Sequence, residues 1–251
     1  MTCTNRDGRA FTSPTFLAPG APHGIIRSVD ADAPRTSFRN TGIGVISPPD
    51  QPQVRLSDFA EIRNCLVEGA FAVDRYSVVA HCALGNLSTI GTQSFANRTN
   101  IERYVSIGSR CSIGADQHEL DALTTSQYIN NPDRLMSMGS GHRNVGASDR
   151  DSLFTSIGHD CWIGDNSVIR AGVCLAVGSV VGAGSVVTHD TEPFEIVVGN
   201  PARRLRFRFD EPTRDRVIRS QWWDISPEFL ATLRGAPLLE CLDRIERHHG
   251  I

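Results

Sequence analysis

Residues 155–190 read TSIGHDCWIGDNSVIRAGVCLAVGSVVGAGSVVTHD. An aliphatic residue returns at every sixth position: Ile157, Ile163, Ile169, Leu175, Val181 and Val187. Glycine or alanine follows most of them (Gly158, Gly164, Ala176, Gly182), and a small side chain stands four residues after each (Cys161, Ser167, Val173, Ser179, Ser185). A period of six fits neither a 3.6-residue helix nor a simple alternating strand. It is the hexapeptide signature of a parallel β-helix. Each hexapeptide supplies a short strand and a turn, and three of them close a triangular coil. The aliphatic side chain fills the core, the small one fits beside it, and glycine or alanine is expected to allow the corner.

The same chemistry extends upstream. Val67, Val73 and Val79 keep the period, which slips by one residue to Leu84 and Ile90, is irregular again across Phe95, and resumes at Ile101, Ile107 and Ile113. Ser77, Ser88, Ser94, Val105 and Cys111 hold the small slot. Between Ile113 and Ile157 the repeat stops, in a polar, glycine-rich excursion at 115–155. So long an excursion from a rigid solenoid is uncommon without a function.

These features divide the chain into an irregular arm at 1–60, a β-helix domain at 61–205 and a helical extension at 206–251. The arm is rich in proline and glycine; GIIRSVD and TGIGVIS are short-strand candidates in it, and SDFAEIRN, from Ser57, reads as a helical turn. After the last coil, EIVVG and RRLRFRF read as strands and DEPTRDRVIRSQWWDI as a helix. Ser226-Pro227 starts another helix, and a last amphipathic helix runs from about Pro237 to Arg247.

Composition narrows the chemistry. In 251 residues there are 25 basic side chains, all of them Arg, and a net charge of -3. That balance argues against a nucleic-acid or anionic-membrane partner, and the absence of Lys excludes lysine Schiff bases. There are seven Cys and no CxxC pair. Four of them (Cys82, Cys111, Cys161, Cys174) fall inside coils, which suggests reduced thiols packed as small hydrophobes and a cytoplasmic protein. No apolar run approaches a membrane span, and MTCTNRDGRAFTSP lacks the apolar core of a signal peptide.

The segments IGHDCWIGDNSVIRAGV (157–173), VVGAGSVVTHD (180–190), VVGNPAR (197–203), RFDEPT (208–213) and SQWWDI (220–225) resemble the hexapeptide acyltransferases. The match is best to their xenobiotic branch of streptogramin, chloramphenicol-type and sugar O-acetyltransferases, over roughly residues 84 to 225. The resemblance implies an all-β fold, a left-handed parallel β-helix with a long loop and a short α-helical C-terminus. That hand departs from the right-handed crossover rule. It also implies a homotrimer with active sites between subunits, acetyl-CoA as donor, and transfer of the acetyl group to a hydroxyl of a sugar, antibiotic or other natural product.

In the family, the catalytic histidine stands in a pattern like Asn-His-x-x-Asp-Trp. Gln117-His118-Glu119-Leu120-Asp121-Ala122 occupies that place, keeping the histidine and the aspartate and losing the Asn and the Trp. The resemblance therefore makes His118 the general base, a role that suits a group titrating near neutrality; Asp121 is a candidate either to orient it or, equally, for capping or hydrogen bonding within the loop. For the donor it points to Trp162, Gly164, Ala183, Gly184, Ser185, Thr188 and His189, where the family's Thr-Lys-Asp has become Thr-His-Asp. Arg203 and Arg204 are the phosphate partners, since guanidinium forks match phosphate. No metal is expected: His81 and His118 match the three-histidine site of the related γ-type carbonic anhydrases only loosely. His159 reads as a turn residue and His142 as a surface or acceptor contact. The rival readings are amino-sugar N-acetyltransfer, transfer of a longer acyl group, and a β-helical scaffold that has lost catalysis.

Overall fold

Three faces of short parallel strands wind around one column of aliphatic side chains. The computed structural model describes residues 54–115, 117, 118, 120–126, 129 and 154–250, with the backbone of three further strands, Thr2–Thr4, Ala10–Thr12 and Thr36–Arg39. GIIRSVD, TGIGVIS, His142 and most of the 115–155 excursion lie outside the described residues.

The first face stacks Val54–Leu56, Phe71–Val73, Ser88–Ile90, Ser106–Ile107, Trp162–Ile163, Val180–Val181 and Glu195–Gly199, all parallel. The second stacks the start of Glu61–Val67, then Val78–Ala80, Phe95–Asn97, Ser112–Ala115, Val168–Arg170 and Val186–Val187. The third stacks the end of Glu61–Val67, then Ala83–Leu84, Thr99–Ile101, Thr155–Ile157 and Cys174–Leu175. The chain therefore turns three corners per coil, at a first–second, a second–third and a third–first edge. The repeat aliphatics from Leu56 to Val197 form one continuous buried core, with Ser77, Ser88, Ser94, Ser167, Ser179 and Ser185 buried beside them. Each buried aliphatic contributes about 1.5–3 kcal/mol.

The upstream slips have a single cause. Ile62, Val79, Ala96 and Ile113 stand in register in successive coils, 17 residues apart, whereas Ile157 and Leu175 are 18 apart. The missing residue is always at the second–third edge, where Val79 to Leu84 and Ala96 to Ile101 take five residues instead of six. Ala96, not Phe95, points inward.

Two expectations are corrected. Ser57–Ala60 is a turn and Glu61–Val67 a strand, not a helix; its start pairs with Val78–Ala80, and a corner at Asn64, with a φ of 51°, lets both Ile62 and Cys65 point inward. The glycines just after the aliphatics are not what lets the corners turn. The left-handed conformation falls two residues later, on Asp160, Asn166, Gly172, Gly178 and Gly184. Gly164 is needed because a Cβ there would lie 2.6 Å from Ala183 N in the next coil.

Ala202–Phe207 folds back antiparallel on Glu195–Gly199 and closes the first face. Then follow α1 (Glu211–Ser220, capped by Asp210), a 3-10 turn (Trp222–Asp224), α2 (Pro227–Ala231, capped by Ser226) and α3 (Leu238–His249). Arg216 ties α1 to Asp243 and Glu246 of α3. Phe194, Val217 and Leu242 form a second small core.

This extension docks on the third–first edge. Trp222 packs on Tyr104 and Trp223 stacks on His159 at 4.8 Å. Arg103 donates to Glu68, to Asp224 and to the Trp223 carbonyl. His159 is thus more than a turn residue. Its Nδ1 accepts from Arg103 N–H, and its Nε2 lies 3.2 Å from a buried Glu102 oxygen, off the line of a hydrogen bond. Burial, and after it the Arg103 guanidinium, push the imidazole down to about 3, so it folds neutral. The unfolded chain then binds the extra proton first, and stability falls as pH drops from about 6.5 towards 3. His159→Asn should flatten that slope. Thermal midpoints at pH 7 and pH 4 should differ less in the variant than in the wild type; equal slopes would dismiss the linkage.

The expectation of reduced thiols fails at one site. Cys65, Cys82, Cys111, Cys161 and Cys241 are free, but Cys174 is disulfide-bonded. Burial pushes the Cys82 and Cys161 thiols up, away from nucleophilic thiolates. Among the described residues no helix is long and apolar enough to cross a membrane.

Candidate active site

His118 stands where the excursion leaves the second–third edge, a few residues after Ser112–Ala115. Its ring is exposed, and its Nδ1 lies 2.6 Å from the carbonyl oxygen of Thr125. A carbonyl can only accept, so Nδ1 carries the proton and donates it. The lone pair is left on Nε2, the arrangement a general base requires. The ring's partner is therefore a backbone carbonyl, not the Asp121 carboxylate. Ala122 is exposed in the same loop.

Two coils below, the same edge carries Thr188, His189 and Asp190, where Asp190 Oδ1 accepts from Cys174 N–H at 2.8 Å. Beside them opens a cleft of about 580 Å3, lined by His189, Asp190, Glu192, Glu195, Arg203 and Arg204. Its two arginines differ. Arg204 pairs with Glu192 at 3.0 Å and approaches Glu195 at 3.9 Å. Arg203 donates to His189 Nε2 at 3.1 Å and to the Ala202 carbonyl, and forms no carboxylate pair among the described residues. His189 in turn donates from Nδ1 to Thr188 Oγ1 at 2.7 Å. Because the cleft also holds three carboxylates, Arg203 is the cation most available to an anion.

The remaining donor candidates lie elsewhere. Gly164, Ala183 and Gly184 line the first–second edge, and Trp162 projects from the first face, 59% exposed. Ser185 is buried, and its hydroxyl accepts from Gly199 N–H at 3.0 Å, so only its backbone could serve a ligand. One chain therefore brings His118, Thr188, His189, Arg203 and Arg204 to one edge, and leaves the others on another edge or face. Sequence reasoning missed the Thr125 carbonyl and Glu192. A backbone partner leaves no signature in side chains. Among the described residues no group of three His, Cys, Asp or Glu could hold a metal.

Comparison with known proteins agrees with this architecture. Residues 154–189 match the family model "Hexapeptide repeat of succinyl-transferase". A chloramphenicol acetyltransferase of Agrobacterium fabrum is 32% identical over 126 residues, covering 47% of this chain and 58% of that protein. One from Klebsiella aerogenes is 29% identical over 174 residues, covering 62% and 74%. A probable macrolide acetyltransferase of Lysinibacillus sphaericus is 30% identical over 124 residues, covering 48% and 65%. The chain thus spans little more than half the length of the first of these relatives. In structure it is similar to an N-acyltransferase, AntD from Bacillus cereus, at 19% identity and a TM-score of 0.50, covering 67% of this chain and 89% of that one. That crystal holds dTDP-4-amino-4,6-dideoxyglucose and coenzyme A; the likeness bears on the fold.

The chain carries hexapeptide repeats over residues 154–189 and folds as a left-handed β-helix. In sequence it is similar to chloramphenicol acetyltransferases over 47% to 62% of its length.

Proposed function

We propose that the protein transfers an acetyl group from acetyl-CoA to a hydroxyl of a small molecule, with His118 as the base. The observation that carries this reading is the Nδ1–H of His118 held by the Thr125 carbonyl, which leaves Nε2 free on the edge that also bears Arg203. Nε2 takes the proton of the acceptor hydroxyl as its oxygen attacks the thioester carbonyl. The tetrahedral intermediate collapses with cleavage of the C–S bond. The imidazolium returns the proton to the departing thiolate, giving ester and free coenzyme A. No acyl-enzyme is formed.

Arg203 is the proposed phosphate partner of the donor, backed by Thr188 and His189, while Arg204 is held by Glu192. The test is transfer from acetyl-CoA to a panel of hydroxyl and amine acceptors, with product masses, in wild type and Arg203→Ala. Wild type is expected to acetylate a hydroxyl, and Arg203→Ala to raise the donor KM about tenfold with kcat little changed. Exclusive transfer to amines would replace O- by N-acetylation, and absent coenzyme A binding would return the chain to the scaffold reading.

The division of the donor candidates between two edges supports assembly. Gly164, Ala183 and Gly184 can meet His118 if the first–second edge of one copy faces the second–third edge of another. A homotrimer closes such contacts heterologously into a ring. Light scattering should give three times the 27.4 kDa chain mass; a monomer that still transfers acetyl would dismiss the arrangement.

A further inference from the structure

The excursion that carries His118 is attached to the solenoid at both ends by one peptide unit. The Gln117 side-chain amide donates to the carbonyl of Ala171 at 3.2 Å. The N–H of that same peptide, on Gly172, donates to Thr155 Oγ1, also at 3.2 Å. Gln117 opens the excursion and immediately precedes His118; Thr155, fully buried, begins the strand on which the chain returns. The Ala171–Gly172 peptide belongs to the next coil, at the second–third edge, where Gly172 has a φ of 80°.

Thr99 stands in register with Thr155 one coil above, but its hydroxyl donates at 2.9 Å to Asn97 O within its own corner. The Thr155 hydroxyl instead reaches forward to the following coil. The connection continues to the imidazole, since the Thr125 carbonyl fixes the ring within the loop while Gln117 fixes the loop on the coil.

We propose that Gln117, Thr155 and the Ala171–Gly172 peptide form a clamp that sets the height of His118 along the second–third edge, with Gln117 and Thr155 as positioning residues. The inference rests on His118 being the base. The peptide is directly above Thr188–Asp190, so a loosened clamp displaces Nε2 relative to the donor cleft without altering the cleft. Misplacing a reacting group by about 1 Å costs up to about a hundredfold in rate.

The test compares the full chain with Gln117→Glu, which offers no donor when ionised, with Thr155→Val and with Thr155→Ser. Kinetics with acetyl-CoA are read alongside hydrogen exchange of peptides covering 117–126. Gln117→Glu and Thr155→Val should lower kcat about ten- to a hundredfold, keep the donor KM within about twofold, and speed exchange in the loop. Thr155→Ser, which keeps the hydroxyl, should restore both readouts. Unchanged loop exchange in the first two variants overturns the clamp, whatever the kinetics. Parallel losses in kcat, donor KM and thermal midpoint overturn it too, because they mark a merely structural role. If wild type transfers no acetyl, or His118→Ala keeps full activity, the catalytic reading falls, and loop exchange alone then decides whether the clamp exists.

Discussion

His118→Ala is expected to lower acetyl transfer by about 10²- to 10⁴-fold while coenzyme A still binds. The ring is exposed, its Nδ1 proton is committed to the Thr125 carbonyl, and the cleft proposed for the donor is built by residues from other segments. Removing the imidazole therefore deletes the proton acceptor and leaves the cleft in place. His118→Gln should not rescue, because an amide offers no basic lone pair at that position. The decisive measurement is single-turnover transfer at saturating donor, beside a direct titration of coenzyme A binding. Full activity in the alanine variant would move the base elsewhere; lost binding would mean that the loop also builds the donor site.

A large effect on stability is expected from Gly85→Ala. A Cβ there would lie 2.4 Å from the carbonyl carbon of Glu102, 2.6 Å from its oxygen and 2.8 Å from Arg103 N. All three atoms are backbone, so no rotamer change relieves the clash and two coils must separate. The cost is expected to be about 3 kcal/mol or more, seen as a fall of roughly 10 °C in the thermal midpoint. Gly184→Ala is the contrasting case. Nothing lies within 4 Å of its Cβ, and only the φ of 72° opposes the change, a penalty of about 1–2 kcal/mol. Comparable losses at the two sites would mean that coil contact is not what demands glycine at Gly85.

The parts of this fold that were legible in the sequence are those whose side chains face the core. Ile157, Ile163 and Ile169 announce the coil because each must be apolar, and Ser167 or Ser179 beside them must be small. The 17-residue coils were obscured because the second–third edge drops one residue, which turns a regular stack into apparent slips near Leu84 and Phe95. Ser57–Asn64 misled for a related reason. Turn residues followed by Ile62 and Cys65 suit a helical turn locally, and the strand is imposed by pairing with Val78–Ala80, distant in sequence.

In the candidate site, sequence could offer only side-chain identities, such as His118 and the Arg203-Arg204 pair. The site was illegible where backbone or partner charge decides. Nothing in Thr125 announces that its carbonyl will orient an imidazole, and the two adjacent arginines look equivalent until Glu192 takes one of them. The disulfide at Cys174 was hidden for the same reason, since a cysteine inside a repeat looks like any other small core residue.

The excursion at the second–third edge also decides where this chain can change. Adding residues to a long loop costs only about 0.6 kcal/mol for each doubling of its length. The coils on either side keep their register across the gap, with Thr99 to Ile101 paired to Thr155 to Ile157. Growth or exchange of the intervening segment thus leaves the solenoid's stacking unaltered. The third–first edge has no such freedom, because Trp222 and Trp223 already cover it. The segment that the proposed function assigns to the acceptor is therefore also the part whose length is least constrained by stability, and on that proposal acceptor choice can drift while donor binding stays fixed.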